Sequence, residues 1–277
     1  MEELELQEVQ RVALDLLIEF DKICKAHSFR YSLGGGTLLG AIRHGGFIPW
    51  DDDIDLMMPR PDYEKFIDYC HDHDCGFDCL SLKYTDHYFD LFSRLSDRST
   101  QIIDETKDLD HQIGVTIDIF PIDGLGADKN EALKRFNNSR LKRELLVAAK
   151  WKTYFRSKTR SWLVEPVRFG LFLMSRFINK EKLYKEVDRL CQQYDFETSE
   201  FAACISGVYR EKEIMPTSTF KNYTSVNFEE YEFDSIAEYD AYLTKHYGDY
   251  MTLPSKEKRV SHHSATFYWR EEWQEKE

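Results

Sequence analysis

The chain of 277 residues is 42% hydrophobic and carries a formal net charge of −13, which allows a substantial core and argues against a nucleic-acid binder. It has no run of about 18 apolar residues, so no transmembrane helix is expected, and it has no repeat or low-complexity tract. Its start, Met1-Glu2-Glu3-Leu4-Glu5, is acidic rather than basic, so no secretory signal is expected and the six cysteines read as reduced thiols.

Residues 30–33 form the first expected strand, followed by Gly34-Gly35-Gly36 and a helix expected over 37–44 that Gly45-Gly46 closes. Strand, glycines and helix start together suit an anion. Bare amide N–H groups and the positive end of the helix dipole face one point with no Cβ in the way. The segment lacks the Gly-Lys-Ser/Thr ending of a Walker A loop and the glycine spacing of a dinucleotide fingerprint. Alone, three glycines are more often only a flexible turn.

Asp51, Asp52, Asp53 and Asp55 then place four carboxylates in five residues, and 54–58 continue as an apolar strand. Asp53, Asp55 and Met57 are expected on one face, with Ile54, Leu56 and Met58 entering the core. Two unit negative charges ~4 Å apart repel by roughly 4 kcal/mol even at an effective dielectric of about 20, so the cluster calls for a cation. Oxygen-only ligands favour a hard ion, Mg2+ or Mn2+, shared with substrate phosphates. A solvated turn has no reason to alternate into an apolar strand. An EF-hand loop from Asp51 would put Leu56 where Gly is needed and Asp62 where Glu is usual. Trp50 and Tyr63 flank the motif and are expected to pack in the core.

Cys70, Cys75 and Cys79, with His71 and His73 among them, invite a structural zinc. Their spacing is not a pair of Cys-x-x-Cys knuckles, and free thiols near a helix end are expected instead. Arg94, on an alternating stretch over 88–95, is a candidate phosphate contact. In residues 115–121, Val115, Ile117 and Ile119 face one way and Asp118 the other. This strand is expected to neighbour 53–58, with Asp118 completing a metal site or positioning an attacking hydroxyl. The plain alternative is an acid at a solvated strand edge.

Residues 139–185 hold thirteen Lys and Arg against three acids, Glu144, Glu165 and Glu181. Over 162–178 and the residue after it, Glu165, Arg168, Ser175, Arg176 and Asn179 form a narrow polar stripe interrupted by Phe172, while Leu163, Val167, Leu171, Met174, Phe177 and Ile178 form a wide apolar side. Two arrangements share that pattern: an interfacial helix on an anionic membrane surface, and an ordinary helix packing its apolar side on the catalytic core. Residues 233–243 read as a turn leading into a helix. Lys256, Lys258, Arg259, His262 and His263 then make a basic cluster that either reaches back to phosphate or forms a solvated tail.

The runs 35–44 and 46–55 with Asp62-Tyr63-Glu64 resemble the signature of the LicD family. Ile117-Asp118-Ile119-Phe120-Pro121, Tyr247-Gly248-Asp249-Tyr250-Met251 and Leu253-Pro254 are similar to it too, so the resemblance spans about residues 20–265. It implies an α+β, nucleotidyltransferase-like fold, a mixed β-sheet flanked by helices with a basic helical insertion. Residues 1–130 would form the core with the metal site, 131–200 the basic helical region, and 201–277 the part completing a single domain.

The resemblance further implies transfer of phosphocholine, or a related phospho-alcohol, from CDP-choline or another CDP-alcohol, releasing CMP. The acceptor would be a hydroxyl of a cell-wall, capsular, lipopolysaccharide or lipid-linked glycan, teichoic acid-like. Related fukutin-type domains transfer ribitol phosphate. By the resemblance Asp53 and Asp55 hold the metal, Asp118 is the third acid of the catalytic set, and Gly35, Gly36 and Thr37 approach the diphosphate. Arg43 and His44 fall inside the matched motif, and with Arg94, Arg259 and His263 they complete the candidate phosphate-binding residues. No organic cofactor is expected. The expected place is the cytoplasm, where CDP-alcohols are made, with residues 139–185 able to touch the inner face of the membrane. The rival readings are a nucleotide-sugar-dependent glycosyltransferase, an NTP-dependent nucleotidyltransferase and a membrane-associated cation-binding module without turnover.

Overall fold

The computed structural model describes residues 2–103, 113–156, 161–259 and 265–271; His262 and His263 lie outside the described residues. Helix α1 (Leu6–His27) follows from apolar spacing. Val9, Val12, Ala13, Leu16, Leu17 and Phe20 bury along one side, and a capping box between Glu5 and Glu8 starts it. Strand β1 (Ser32–Leu33) is shorter than expected, and α2 (Gly35–His44) begins two residues earlier, because Gly34 takes the extended N-cap conformation. Helix α2 ends as expected at Gly45, left-handed at φ 74°, whose N–H donates to the Ala41 carbonyl. Strand β2 (Asp55–Pro59) leaves Asp53 outside it, and Met57 is buried beside Leu56 and Met58 rather than sharing an open face with the acids.

The chain continues through α3 (Arg60–Asp72), β3 (Asp78–Leu80), β4 (Ser93–Ser96), β5 (Thr100–Ile103) and β6 (Thr116–Gly126). Four helices follow: α4 (Lys129–Asn138), α5 (Arg140–Ala149), α6 (Glu165–Ser175) and α7 (Lys180–Cys191). The last part holds β7 (Phe201–Ala203), β8 (Met215–Pro216), β9 (Tyr223–Phe228), β10 (Tyr231–Ile236), α8 (Tyr239–Tyr247) and β11 (Thr266–Trp269). Residues 233–236 are therefore not a turn but half of the β9–β10 hairpin, where Phe233 and Ser235 point inward.

Among the described residues the main sheet has seven strands, ordered β1-β2-β6-β4-β3, with β7 on β6 and β8 on β7. β2 and β6 run parallel and the other pairs antiparallel, so the fold is α+β, a mixed sheet flanked by helices. β6 is long, 11 residues, so it serves β2 and β4 at its start and β7 at its end. One apolar core packs α1, α2 and α3 on the first of these regions, and a second packs α4, α5 and α7 on the far end of β6 and on β7. Arg60 ties the two together. Its Nε and Nη2 donate to Asp123 of β6 at 2.6 and 3.0 Å, and its Nη1 to Asp188 of α7 at 3.3 Å. No helix among the described residues is long and apolar enough to cross a membrane.

Candidate functional site

The parallel register of β2 and β6 sets Asp55 directly beside Asp118, on strands about 4.8 Å apart. The adjacency follows from the alternation in both segments. Ile54, Leu56, Ile117 and Ile119 are fully buried, and burying them leaves Asp55 and Asp118 on the opposite, half-buried side. The Asp118 N–H donates to the Ile54 carbonyl and the Gly34 N–H to the Asp55 carbonyl, each at 2.8 Å, so strand and glycine turn are locked together.

Helix α2 starts over the same point. The Asp55 N–H donates to Thr37 Oγ1 at 2.8 Å, which makes Thr37 a pin between helix and strand. What α2 turns toward the acids is bare backbone. Gly35 is left-handed at φ 46°, and a Cβ on it would stand 2.6 Å from Asp55 Oδ2. A Cβ on Gly36 would meet Asp51 Oδ2 at 3.0 Å, so two carboxylates sit against the positive end of the helix. Gly35→Ala is accordingly expected to cost more than the ~1–2 kcal/mol of a left-handed non-glycine residue, since Asp55 must also move. Urea unfolding checks this, and an unchanged midpoint would contradict it.

The electrostatics are those of a crowded acid group. Burial, then the charges of Asp53, Asp118 and Asp51, push the Asp55 carboxyl well above the usual carboxylate range. Burial also raises Asp118, against the pull of Arg94. Arg94 lies on β4 opposite Asp118; its Nε donates to Asp118 Oδ1 at 3.0 Å and its Nη1 stands 3.2 Å from Asp90. Burial works against the Arg94 charge, but Asp118 and Asp90 outweigh it and hold the guanidinium above its ordinary value. Arg94 thus reaches the acid group, engaged with carboxylates.

Asp53, Asp55 and Asp118 offer oxygen alone, and the repulsion felt at Asp55 is what a hard cation relieves, so the donor chemistry fits Mg2+ or Mn2+. Among the described residues no three His, Cys, Asp or Glu side chains already converge on an ion, around Cys70, Cys75 and Cys79 included. Those three cysteines are free thiols. A cation at the aspartates would draw its remaining ligands from phosphate, as Mg2+ commonly does.

The basic candidates gather elsewhere, at the other end of α2, about 14 Å along the helix from Gly35. Arg43 Nη1 donates to the Tyr250 carbonyl at 3.0 Å and its Nε to His44 Nδ1 at 3.4 Å. Burial, then the Arg43 charge, lowers His44 below its ordinary range. Trp50 meets His44 edge to face at 6.2 Å, and the Arg259 guanidinium lies 5.8 Å from the Trp50 ring centre. Tyr63 is core, its hydroxyl 2.6 Å from Ser93 Oγ.

Three tyrosines adjoin the acids without having been singled out from spacing. The Gly35 N–H donates to Tyr242 Oη at 3.5 Å, and the half-buried rings of Tyr209 and Tyr247 meet at 5.3 Å and 72°. Burial first, and the Asp55 charge among the lesser causes, raises all three hydroxyls. Tyr247 falls in a matched motif; nothing local to Tyr209 or Tyr242 signals this position.

Comparison with known proteins adds the following. The family model described as "LicD/FKTN/FKRP, nucleotidyltransferase domain" matches residues 28–122. The lipopolysaccharide cholinephosphotransferase LicD of Haemophilus influenzae is 32% identical over 277 residues, 97% of this chain and 99% of that protein. The human ribitol 5-phosphate transferase FKRP is 59% identical over 34 residues, 12% of this chain and 7% of that protein, and the mouse protein matches equally.

Proposed function

This chain belongs to the LicD family, and from that premise we propose that it moves phosphocholine, or a related phospho-alcohol, from its CDP ester to a glycan hydroxyl with release of CMP. Membership makes it a transferase acting on phosphate-containing groups, and the Haemophilus relative makes a lipopolysaccharide-type glycan the first acceptor to consider. One observation carries the site assignment. Asp55 stands beside Asp118 directly under the glycine start of α2, so acids for a cation and amides for a diphosphate share one place. In this reading residues 1–130 are a nucleotidyltransferase-like core, 131–200 its basic helical region, and 201–277 complete the domain.

Mg2+ or Mn2+ held by Asp53 and Asp55, with Asp118 as the third acid, would neutralise charge on the reacting phosphoryl group. The chain's own residues do the rest. The backbone of Gly35 and Gly36, approachable for want of a Cβ, takes the diphosphate at the helix start. Arg94 fixes the Asp118 carboxylate through its 3.0 Å bond and adds positive charge beside it. Asp118 aims the acceptor hydroxyl. Its oxygen bonds to the phosphorus bearing the alcohol, its proton is taken up at the Asp118 carboxylate, and CMP leaves with the electrons of the broken P–O bond. Arg43, His44 and Arg259 serve as anion contacts for a more distant part of the substrates.

The test is transfer itself. With CDP-choline labelled in the methyl groups, the divalent ion and lipopolysaccharide or teichoic acid lacking phosphocholine, label is expected in the glycan. Label in no glycan, beside turnover of a UDP-sugar or incorporation of a nucleotide from an NTP, would contradict the reading.

A further inference from the structure

Helix α6 is built inside out. Its buried residues are polar, Arg168 at 7% exposed and Ser175 at 2%, whereas Val167 is 64% exposed and Phe177, just past its end, 90%. Phe169, Leu173 and Met174 are exposed as well, as is Trp162 in the single 3-10 turn that leads in. The polar side is what docks the helix. Arg168 lies 4.9 Å from the Trp151 ring centre and donates to Glu165 at 2.9 Å, while Arg176 Nη2 donates to the Ala148 and Ala149 carbonyls at the end of α5. Leu171 and Ile178 pack on the second core, but the rest of the apolar side, Leu163, Val167, Met174 and Phe177, stays exposed. The reason lies in its partner: the end of α5 presents the Ala148 and Ala149 carbonyls, which accept from donors rather than pack on methyl groups.

The surroundings say what covers such a face. Lys152, Arg156 and Arg176 are exposed around it, within a segment of thirteen Lys and Arg against three acids. A second copy of this chain on the same face would bring two strongly positive segments together. An anionic lipid surface meets both demands at once, apolar depth for the exposed side chains and negative headgroups for the rim.

The face also continues toward the acids. Val164, Val167 and Leu171 of this segment share an open cavity of about 690 Å³ with Leu141 and Arg140 of α5. Through Asn137, Arg140, Glu144 and Arg210 that cavity borders a second of about 320 Å³, which reaches Asp90 and Phe92. Asp90 pairs with Arg94, and Arg94 with Asp118.

We propose that the turn at 162–164 and helix α6 are an interfacial anchor that lies in an anionic leaflet, with the groove beside α5 leading from that leaflet toward Asp118. That the groove receives the head of a lipid-linked acceptor rests on the reading under Proposed function; the anchor does not. The test reads binding without turnover, so the two fail separately. The full chain is floated with vesicles of phosphatidylcholine plus phosphatidylglycerol, and with phosphatidylcholine alone, at low and high salt, beside the triple variant Val167→Glu/Met174→Glu/Phe177→Glu. All three changes are on exposed side chains, and circular dichroism with thermal melting checks that the variant folds.

The expected result is flotation with anionic vesicles, weakened by salt and by neutral lipid, and a partition reduced about tenfold or more in the variant. Wild-type protein left behind by anionic vesicles at low salt would overturn the proposal, as would a folded variant that floats as well as wild type. So would sedimentation showing a dimer that the same changes dissociate, which would give the face to a second copy.

Discussion

Asp55→Asn is expected to abolish CMP release from the CDP ester, a loss on the order of 10³-fold or more, while making the metal-free protein harder to unfold. The two effects have one cause. Asp55 is pushed well up by its burial and by Asp53, Asp118 and Asp51, so the folded chain holds this proton to higher pH than the unfolded chain does. A raised carboxyl contributes its stability fully below the unfolded value of about 4 and loses it as pH rises through the folded value. Near neutrality the unfolded chain ionises this carboxyl readily and the folded chain resists it, so the group works against the fold, and an amide of the same shape does not.

Thermal unfolding in EDTA from acid to neutral pH should show the variant gaining on wild type as pH rises. Added Mg2+ should narrow the gap by stabilising wild type alone. A variant that keeps turnover would contradict the role given to Asp55, and a substitution that changes only stability in a protein that never turns over would favour a cation-binding module over an enzyme.

Arg60→Met should be the most destabilising single substitution named here, about 3–5 kcal/mol. Arg60 is buried, forms two bonds to the 2%-exposed Asp123, and also meets Asp188 and Glu64. Removing it leaves Asp123 charged, buried and without its cation in the middle of β6. For a chain of this size the unfolding temperature should fall on the order of 10 °C. Replacing both partners, Arg60→Met with Asp123→Leu, should recover much of the loss, because no buried charge is then stranded. A single variant melting within a degree or so of wild type would show that the pair does not hold α3, β6 and α7 together.

The part of this arrangement legible in the sequence is the part fixed by local rules. Alternation in 54–58 and 115–121 leaves one inward and one outward side on each strand, so once the two pair in parallel Asp55 and Asp118 stand together. Glycines at a helix start and a left-handed Gly45 at its end bounded α2 to within two residues. What spacing could not carry is which long-range neighbour each group meets. Arg94 reads as a phosphate contact in isolation, and only the β4–β6 register shows that it pairs with Asp118. Arg43 and His44 share a motif with Gly35 yet lie at the opposite end of the helix. Tyr209 and Tyr242 come to the acids from far along the chain. Periodicity in 162–178 described an amphipathic helix correctly but was silent on which side faces in, since that depends on what α5 presents to it.

The most direct test is CMP release from CDP-choline, with CDP-glycerol and CDP-ribitol alongside, in Mg2+, Mn2+ or EDTA, for wild type and Asp53→Asn. Metal-dependent release that the substitution removes, fastest with the choline ester, is the predicted result. Silence with every CDP ester in either metal, while a UDP-sugar or an NTP is turned over, would contradict the donor assignment and leave the family and the fold standing without it.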